Sequence, residues 1–225
     1  MNKSLFIIGT GTDVGKTYVS GLILKKLRES GASAAYYKAA MSGNERGGDG
    51  VLIPGDALWV KEHSGIAQPL QEMCPFVPHL AARLEGHPVD LDTVMSGFRS
   101  LRNCCEYLTL EGSGGVLCPL RFDGQELWLT DVIRSCGSGC LLVADAGLGT
   151  INQAGLTAFF LKQQKLPLKG VILNHYQPGN VLHEDNKKMC EYVTGVKVAA
   201  CVQDGDKDLR ISAGDLKALY EEEIK

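Results

Sequence analysis

The sequence has no long apolar segment and no long run of basic residues, and each absence excludes a class of protein. No apolar stretch approaches the ~20 residues of a membrane-spanning helix. The apolar residues 5–8 are too few for the core of a secretion signal, so we expect a cytosolic protein that binds no membrane. With 23 basic and 26 acidic residues and no basic cluster, nucleic acid is not an expected partner.

The spacing Cys-x-x-Cys is also absent, although the chain has eight cysteines. This absence removes the usual signature of zinc and iron–sulfur sites. Because the expected compartment is reducing, we do not expect disulfides. Most of the cysteines lie among apolar residues, as Cys140 does before Leu141, and we interpret them as small buried side chains.

The apolar pattern predicts one α/β domain over residues 1–225. A chain of 225 residues that is 44% hydrophobic and 22% charged can bury a large core. Short β-rich segments alternate with segments of helical periodicity. The predicted strands include 4–9, 34–38, 107–110 and 140–144, and residues 41–55 are predicted as a loop. The predicted helices include 16–30, 56–63, 79–85, 91–104 and 152–163. This alternation predicts a mostly parallel sheet with helices on both faces.

Residues 9–17, with the sequence GTGTDVGKT, lie between the first predicted strand and the first predicted helix. In a phosphate loop at such a junction, backbone N–H groups and the helix N-terminus bind phosphate oxygens. Lys16 would then contact the terminal phosphates, and the Thr17 hydroxyl would ligate Mg²⁺. The glycine spacing differs from the common phosphate-loop pattern, and a glycine-rich turn with a surface lysine is the alternative. The position between strand and helix favours a phosphate-loop NTPase-like fold.

Acidic residues that would hold the metal follow two apolar strands. Glu111 and Asp145 each end such a segment, and the patterning does not rank them. Asp56 is a third candidate, with the N-cap of the following helix as its alternative role. Lys38 closes the second predicted strand at the same rim as the phosphate loop. It either neutralises a phosphoryl group in transfer or is a solvated lysine at a strand end.

Several motifs in order resemble the dethiobiotin synthetase family. The segment 9–17 is similar to that family's variant phosphate loop, G-T-x-T-[DE]-V-G-K-T. Further matches are YK at 37–38 with SG at 42–43, DAL at 56–58, PH at 78–79, EGSGG at 111–115, GTIN at 149–152 with LT at 156–157, and Asn174 at a strand end. These matches span residues 9 to about 175, and only the first motif is common elsewhere.

The resemblance implies an enzyme that uses ATP and Mg²⁺ to insert CO₂ between the two amines of diaminopelargonic acid. The ring of dethiobiotin then closes through a carbamate and a carbamic–phosphoric anhydride, in a homodimer with its sites at the subunit interface. The implied catalytic residues are Thr12, Lys16, Lys38 and Ser42. The implied metal ligands are Thr17, Asp56 and Glu111. The implied nucleotide contacts are Thr12, Asp13, Val14, Gly15, Lys16, Thr17, Tyr18, Glu111 and Asn174. The implied substrate contacts are Thr12, Lys38, Ser42, Gly114, Thr150, Ile151 and Asn152.

Some positions depart from the family's motifs. Ala39 and Val77 replace a proline and a serine, and Gly11 stands where an acid is common. Gln203 follows the last strand where the family often has proline, which leaves the base preference open. The segment that begins at Asn174 lacks the aspartate of the guanine-reading N-K-x-D, and this favours adenine.

Two other functions remain as alternatives. An ATP-dependent amide-forming synthase would carry a glutamine-hydrolysing domain, for which 225 residues leave no room. A nucleotide-switch ATPase of the partitioning type would need a second lysine at the start of its loop. A switch of the iron–sulfur-carrier type would need paired exposed cysteines, and Cys104 and Cys105 lie in a predicted helix.

Overall fold

The residues that the computed structural model describes, 3–38, 45–46, 52–74 and 88–221, are organised around one central sheet. Its six strands are β1 (Lys3–Gly9), β2 (Ala34–Lys38), β5 (Tyr107–Gly115), β8 (Gly139–Asp145), β9 (Leu168–Asn174) and β10 (Val198–Cys201). Two short ribbons pair β3 (Glu45–Arg46) with β4 (Leu52–Ile53) and β6 (Pro119–Phe122) with β7 (Glu126–Trp128). The described helices are α1 (Lys16–Glu29), α2 (Gly55–Ser64), α3 (Leu70–Met73), α4 (Leu91–Cys104), α5 (Leu129–Cys136), α6 (Thr150–Gln163), α7 (Val181–Thr194) and α8 (Ala213–Ala218).

The central sheet has the strand order β10-β9-β8-β1-β5-β2, and every neighbouring pair in it is parallel. The predicted parallel sheet is therefore confirmed. Because parallel strands share a carboxyl edge, the segments that follow β1, β5 and β8 all lie along that edge. The register also sets Lys38 of β2 opposite Glu111 of β5.

Strand β1 is buried on both faces of the sheet. Phe6 and Ile8 belong to one apolar cluster, and Leu5 and Ile7 belong to the cluster on the opposite side. Burial on both sides explains why the strand is a continuous apolar run rather than an alternating one. The loop that follows β1 is consequently anchored at the centre of the molecule. None of the helices within the described ranges is long and apolar enough to cross a membrane.

Two predicted segments differ from the structure, and a third is untested. The strand predicted over 107–110 continues as β5 to Gly115, because Glu111 is buried within the sheet instead of leaving it. The region predicted as a loop over 41–55 contains β3 and β4. The helix predicted over 79–85 falls outside the described residues.

Candidate active site

The loop between β1 and α1 leaves the N-terminus of α1 open. Asp13 and Gly15 have positive φ angles of 60° and 85°, which turn the backbone sharply before the helix. Helix α1 begins at Lys16 with no side-chain cap and no acidic residue in its first turn. The first N–H groups of the helix and its positive dipole end are thus available to an anion.

Glycine is required at two points of this loop by close contacts. A Cβ on Gly15 would lie 2.1 Å from Nδ2 of Asn174, and a Cβ on Gly9 would lie 2.8 Å from the carbonyl oxygen of Gly11. Nδ2 of Asn174 also donates a hydrogen bond to the carbonyl of Val14 at 3.1 Å. The end of β9 is therefore held directly against the loop.

Lys16 is the buried cation of this loop. Its Nζ donates a hydrogen bond to the carbonyl of Gly11 at 2.8 Å, and burial lowers the pKa of Lys16 below its ordinary value. Lys16 lines a cavity of about 580 Å³. The other residues that line the cavity are Thr12, Asp13, Gly15, Thr17, Tyr18, Lys38, Gly55, Asp56, Trp59, Ser113 and Gly114.

A second lysine bridges two carboxylates at the base of the cavity. Lys38 Nζ donates to Asp56 Oδ2 and to Glu111 Oε1, each at 2.6 Å. Lys38 is buried, so the interpretation as a solvated lysine is wrong. Asp56 is the second residue of α2, whose N-cap is Pro54, so the interpretation of Asp56 as an N-cap is wrong as well.

Both members of the buried pair Lys38–Glu111 are ionised. Burial alone would lower the pKa of Lys38, but the carboxylates of Glu111 and Asp56 outweigh it and raise that pKa above its ordinary value. Burial alone would raise the pKa of Glu111, but Lys38 outweighs it and lowers that pKa. This edge of the sheet therefore holds a fixed positive charge between two fixed negative charges.

Hydroxyl groups from three further residues complete the surroundings of Glu111. Thr17 Oγ1 donates to Oε1 at 2.8 Å, and Ser20 Oγ and the Tyr36 hydroxyl donate to Oε2 at 2.8 and 3.0 Å. Sequence reasoning missed Ser20 and Tyr36. Each carried a positional signal, because Ser20 follows Thr17 by one helical turn and Tyr36 shares a strand face with Lys38.

Adjacent tyrosines on β2 allow the hydrogen bond to Glu111 to be tested. We expect Tyr36→Phe to lower the free energy of unfolding by about 1.5–3 kcal/mol, because its hydroxyl donates to a buried charge. Tyr37 is the matched control, since it is equally buried and its hydroxyl donates at 3.0 Å to the neutral carbonyl of Val94. Tyr37→Phe is expected to cost about 0.5–1.5 kcal/mol in urea unfolding. Equal losses in the two variants would contradict the prediction.

The oxygens at this edge suit a hard divalent cation. Thr17, Asp56 and Glu111 offer a hydroxyl and two carboxylates, the ligand types that Mg²⁺ prefers. An ammonium group already lies between the two carboxylates, so this pair accommodates a cation. Within the part of the chain that the structure describes, no three His, Cys, Asp or Glu side chains form a metal cluster. The arrangement fits a metal that brings other oxygen ligands with it, such as those of phosphates.

The alternative acid, Asp145, has different partners. Its Oδ2 lies 2.6 Å from His175 Nδ1, and its Oδ1 accepts a hydrogen bond from Gly147 N at 2.6 Å. The structure therefore brings Glu111, and not Asp145, into contact with Thr17 and Lys38.

The other residues that the sequence singled out lie in two places. Thr12 and Asp13 are exposed at the mouth of the cavity, and Gly114 lines it with a φ of 66°. Ser42 lies outside the described residues. Residues 150–152 begin helix α6, where Thr150 is buried and Ile151 and Asn152 line a separate groove of about 710 Å³ against α7. Within one chain, these three residues do not line the cavity of the phosphate loop.

Known proteins of one name are similar to this sequence over nearly its whole length. A family model described as an AAA domain matches residues 3–207. An ATP-dependent dethiobiotin synthetase BioD from Brachyspira hyodysenteriae is 41% identical and covers 98% of this chain and 100% of its own length. The proteins of that name from Clostridium perfringens and Clostridium botulinum (strain Loch Maree) are 41% and 38% identical. They cover 87% and 99% of this chain and 88% and 100% of their own lengths.

Solved structures share the fold at much lower identity. The septum site-determining protein MinD of Pyrococcus horikoshii, complexed with Mg-ADP, aligns with a TM-score of 0.59 at 15% identity, over 91% of this chain and 82% of that one. A ParA family ATPase of Chlorobium tepidum aligns with a TM-score of 0.57 at 10% identity, over 98% and 91%. Such identities show a phosphate-loop NTPase fold alone, whereas the sequence relatives cover 87–99% of this chain at 38–41% identity. The chain therefore belongs to the family of ATP-dependent dethiobiotin synthetases.

Proposed function

We propose that this chain closes the ureido ring of dethiobiotin from diaminopelargonic acid and CO₂ or bicarbonate, with consumption of ATP. The observation that carries the proposal is the buried Lys38 between Asp56 and Glu111, which lines the same cavity as the phosphate loop. The reaction is assigned to one α/β domain over residues 1–225, in the cytosol. The family membership and the names of the relatives support ATP as the nucleotide.

The chemistry requires positive charge and little water. The oxygen of a carbamate is a poor leaving group. Transfer of the γ-phosphoryl group to the carbamate gives a mixed anhydride, which the second amine attacks. Lys16 and Lys38 supply positive charge where negative charge develops, which is the largest contribution in most phosphoryl transfers. Both lysines are buried, so their charges act in surroundings from which water is partly excluded.

The predicted site residues of the cavity divide between the metal, the nucleotide and the diamine. Thr17, Asp56 and Glu111 would hold Mg²⁺, which neutralises phosphate charge when it is bound. The N–H groups of residues 12–17 bind phosphate oxygens, Tyr18 and Asn174 contact the nucleoside, and Glu111 also faces the nucleotide. Thr12, Lys38 and Gly114 contact the diamine and its carbamate. Ser42 is included among the catalytic residues only because it matches the family motif.

We include a homodimer in the proposal, on the strength of an apolar surface formed by α6 and α7. Leu148 is 87% exposed, and Leu156 and Phe159 are 61% and 62% exposed. Leu148 and Leu156 line the same groove as Ile151 and Asn152. Such a surface favours a protein partner over solvent. A second copy would bring its residues 150–152 to the diamine, where the N-terminus of α6 suits the carboxylate at the end of that molecule.

The dimer can be tested by placing a charge on this apolar surface. We expect Leu156→Arg to convert the protein to a monomer and to lower turnover at least about tenfold, because a buried unpaired charge opposes association. Sedimentation gives the mass, and a kinetic assay gives the turnover. Phe122→Arg is the control, since Phe122 is also exposed but lies on β6. A wild type that is monomeric would overturn the homodimer, and a dimer that persists in the Leu156 variant would overturn its placement on this surface.

The proposed activity is tested by following ADP release from Mg·ATP with bicarbonate, with and without diaminopelargonic acid, while mass spectrometry follows dethiobiotin. ADP release that depends on the diamine and matches dethiobiotin formation is the expected result. Nucleotide binding with no dependence on the diamine would overturn the proposal and favour the nucleotide-switch alternative.

A further inference from the structure

Polar contacts connect three side chains at the carboxyl ends of β8 and β9, in the order Asp145, His175 and Asn174. Asp145 and Asn174 are partners in the register of the sheet. Neither Asp145 nor His175 has a role in the proposed reaction. We propose that these two are positioning residues, which fix the amide of Asn174 so that its oxygen reads an exocyclic amine on the nucleobase. The inference rests on the proposed function in one respect, that Asn174 contacts the base.

The amide of Asn174 has one atom that lacks a partner. Asn174 is only 3% exposed, and its Nδ2 lies 3.1 Å from the Val14 carbonyl and 3.2 Å from His175 Nε2. These two contacts use both hydrogens of the amide. Its Oδ1 is buried and has no hydrogen-bond donor among the described residues. Buried acceptors are rarely left unpaired, so this atom indicates a donor that a ligand would supply.

The partners of His175 decide which of its nitrogens carries hydrogen. Nδ1 lies 2.6 Å from Asp145 Oδ2, and an ionised carboxylate only accepts, so Nδ1 is the donor. In the neutral ring Nε2 is then an acceptor, as the hydrogen of Asn174 Nδ2 requires. A protonated ring would set two donors against each other at that contact. Asp204 Oδ1, at 3.8 Å from Nε2, is beyond hydrogen-bonding distance.

Two further observations support a positioning role. His175 has a φ of 55°, in the left-handed region that non-glycine residues occupy at an energetic cost and that recurs at functional sites. Asp145 is held in turn by the N–H of Gly147 at 2.6 Å. Burial alone would raise the pKa of Asp145, but the hydrogen bonds from His175 and Gly147 outweigh it and lower that pKa. The carboxylate is consequently ionised and fixed at both oxygens.

This arrangement predicts a preference between bases. Because Val14 and His175 take both amide hydrogens, Asn174 presents only an acceptor. An acceptor pairs with the 6-amino group of adenine, whereas the 6-carbonyl of hypoxanthine would oppose it. We therefore expect ATP to bind at least about tenfold more tightly than ITP, because ATP forms a hydrogen bond with Asn174 Oδ1 and ITP leaves that acceptor unpaired.

An isosteric change at Asp145 tests the mechanism. In Asp145→Asn, Gly147 N–H holds the amide oxygen, and the new NH₂ group faces His175 Nδ1. The ring must then carry its hydrogen on Nε2, which opposes Asn174 Nδ2. The dissociation constants of Mg·ATP and Mg·ITP are measured by calorimetry, without the diamine. We expect the ratio of the two constants to fall to about 1 in this variant. Asp131→Asn is the matched control, because Asp131 also accepts from a backbone N–H (Trp128, 2.9 Å) and from a side chain (Arg134, 3.3 Å), and its ratio should stay at the wild-type value.

A second variant keeps the inference testable if Asp145→Asn fails to fold. His175→Asn suits the left-handed backbone but removes the ring, and it should lower the ATP/ITP preference as well. If Asp145 and His175 had a merely structural role, the substitutions would weaken the binding of both nucleotides equally. The ratio of the two dissociation constants would then stay unchanged, which would overturn the inference. Equal affinities in the wild type would also overturn it. Diamine-dependent turnover is measured separately, so a failure of the proposed activity is distinguishable from a failure of this inference.

Discussion

Replacing Lys38 by methionine is expected to lower diamine-dependent turnover by at least about 100-fold in the folded protein. Methionine keeps most of the length of the side chain but removes the charge that faces the phosphoryl group in the proposed reaction. Removing one group that stabilises developing charge typically costs roughly 100- to 1000-fold. The measurement is the rate of ADP release at saturating ATP and diamine. Turnover within threefold of wild type would remove Lys38 from the reaction.

The same substitution should also destabilise the fold. Glu111, which is 1% exposed, would be left without its cation, and breaking a buried pair costs about 3–5 kcal/mol. Lys3→Met is the control, because Lys3 pairs with Glu221 at 2.9 Å at the surface. Such a surface pair contributes only about 0–1 kcal/mol. Urea unfolding of both variants separates lost catalysis from lost folding.

Gly15→Ala is expected to reduce the free energy of unfolding by about 2–5 kcal/mol and to weaken ATP binding. The loss has two sources. A φ of 85° costs alanine about 1–2 kcal/mol. A Cβ on this residue would also lie only 2.1 Å from Asn174 Nδ2, and relieving such overpacking costs about 1–3 kcal/mol. Relief of that contact must move either the phosphate loop or the end of β9. Chemical unfolding and calorimetric titration with Mg·ATP measure the two effects.

Gly31→Ala separates the two sources. Gly31 has a φ of 77°, but among the described residues no atom outside its two chain neighbours lies within 4 Å of a Cβ built on it. The Gly31→Ala variant should therefore lose only the conformational part of the free energy of unfolding, about 1–2 kcal/mol, and keep wild-type ATP affinity. If the two variants lost the same stability and bound ATP equally well, the close contact at Gly15 would have no role.

The sequence predicted the parts of the fold that depend on local pattern. Strand β2 and helix α4 have the predicted bounds, because their apolar periodicity and their ends are unambiguous. The junction of β1 and α1 was predicted from the glycines and Lys16. Local rules were sufficient there, since a strand, a turn and a helix N-terminus are adjacent along the chain.

Pairing between distant segments could not be read from the sequence. Glu111 and Asp145 both follow apolar strands, and only the sheet order, with β5 between β1 and β2, brings Glu111 to Thr17 and Lys38. The length of β5 was underestimated for a related reason. An acid normally marks the end of a buried strand, whereas Glu111 stays within the sheet because a lysine and three hydroxyls compensate its charge.

The buried charges of Lys38 and Glu111 also have a consequence for protein engineering. Replacing a buried ion pair by well-packed apolar residues of similar size is often neutral or stabilising. A library selected only for heat resistance would therefore enrich variants that have lost both charges and, with them, the proposed chemistry. Selection of a more durable form of this protein should hold Lys38 and Glu111 constant and seek gains on the surface remote from the cavity.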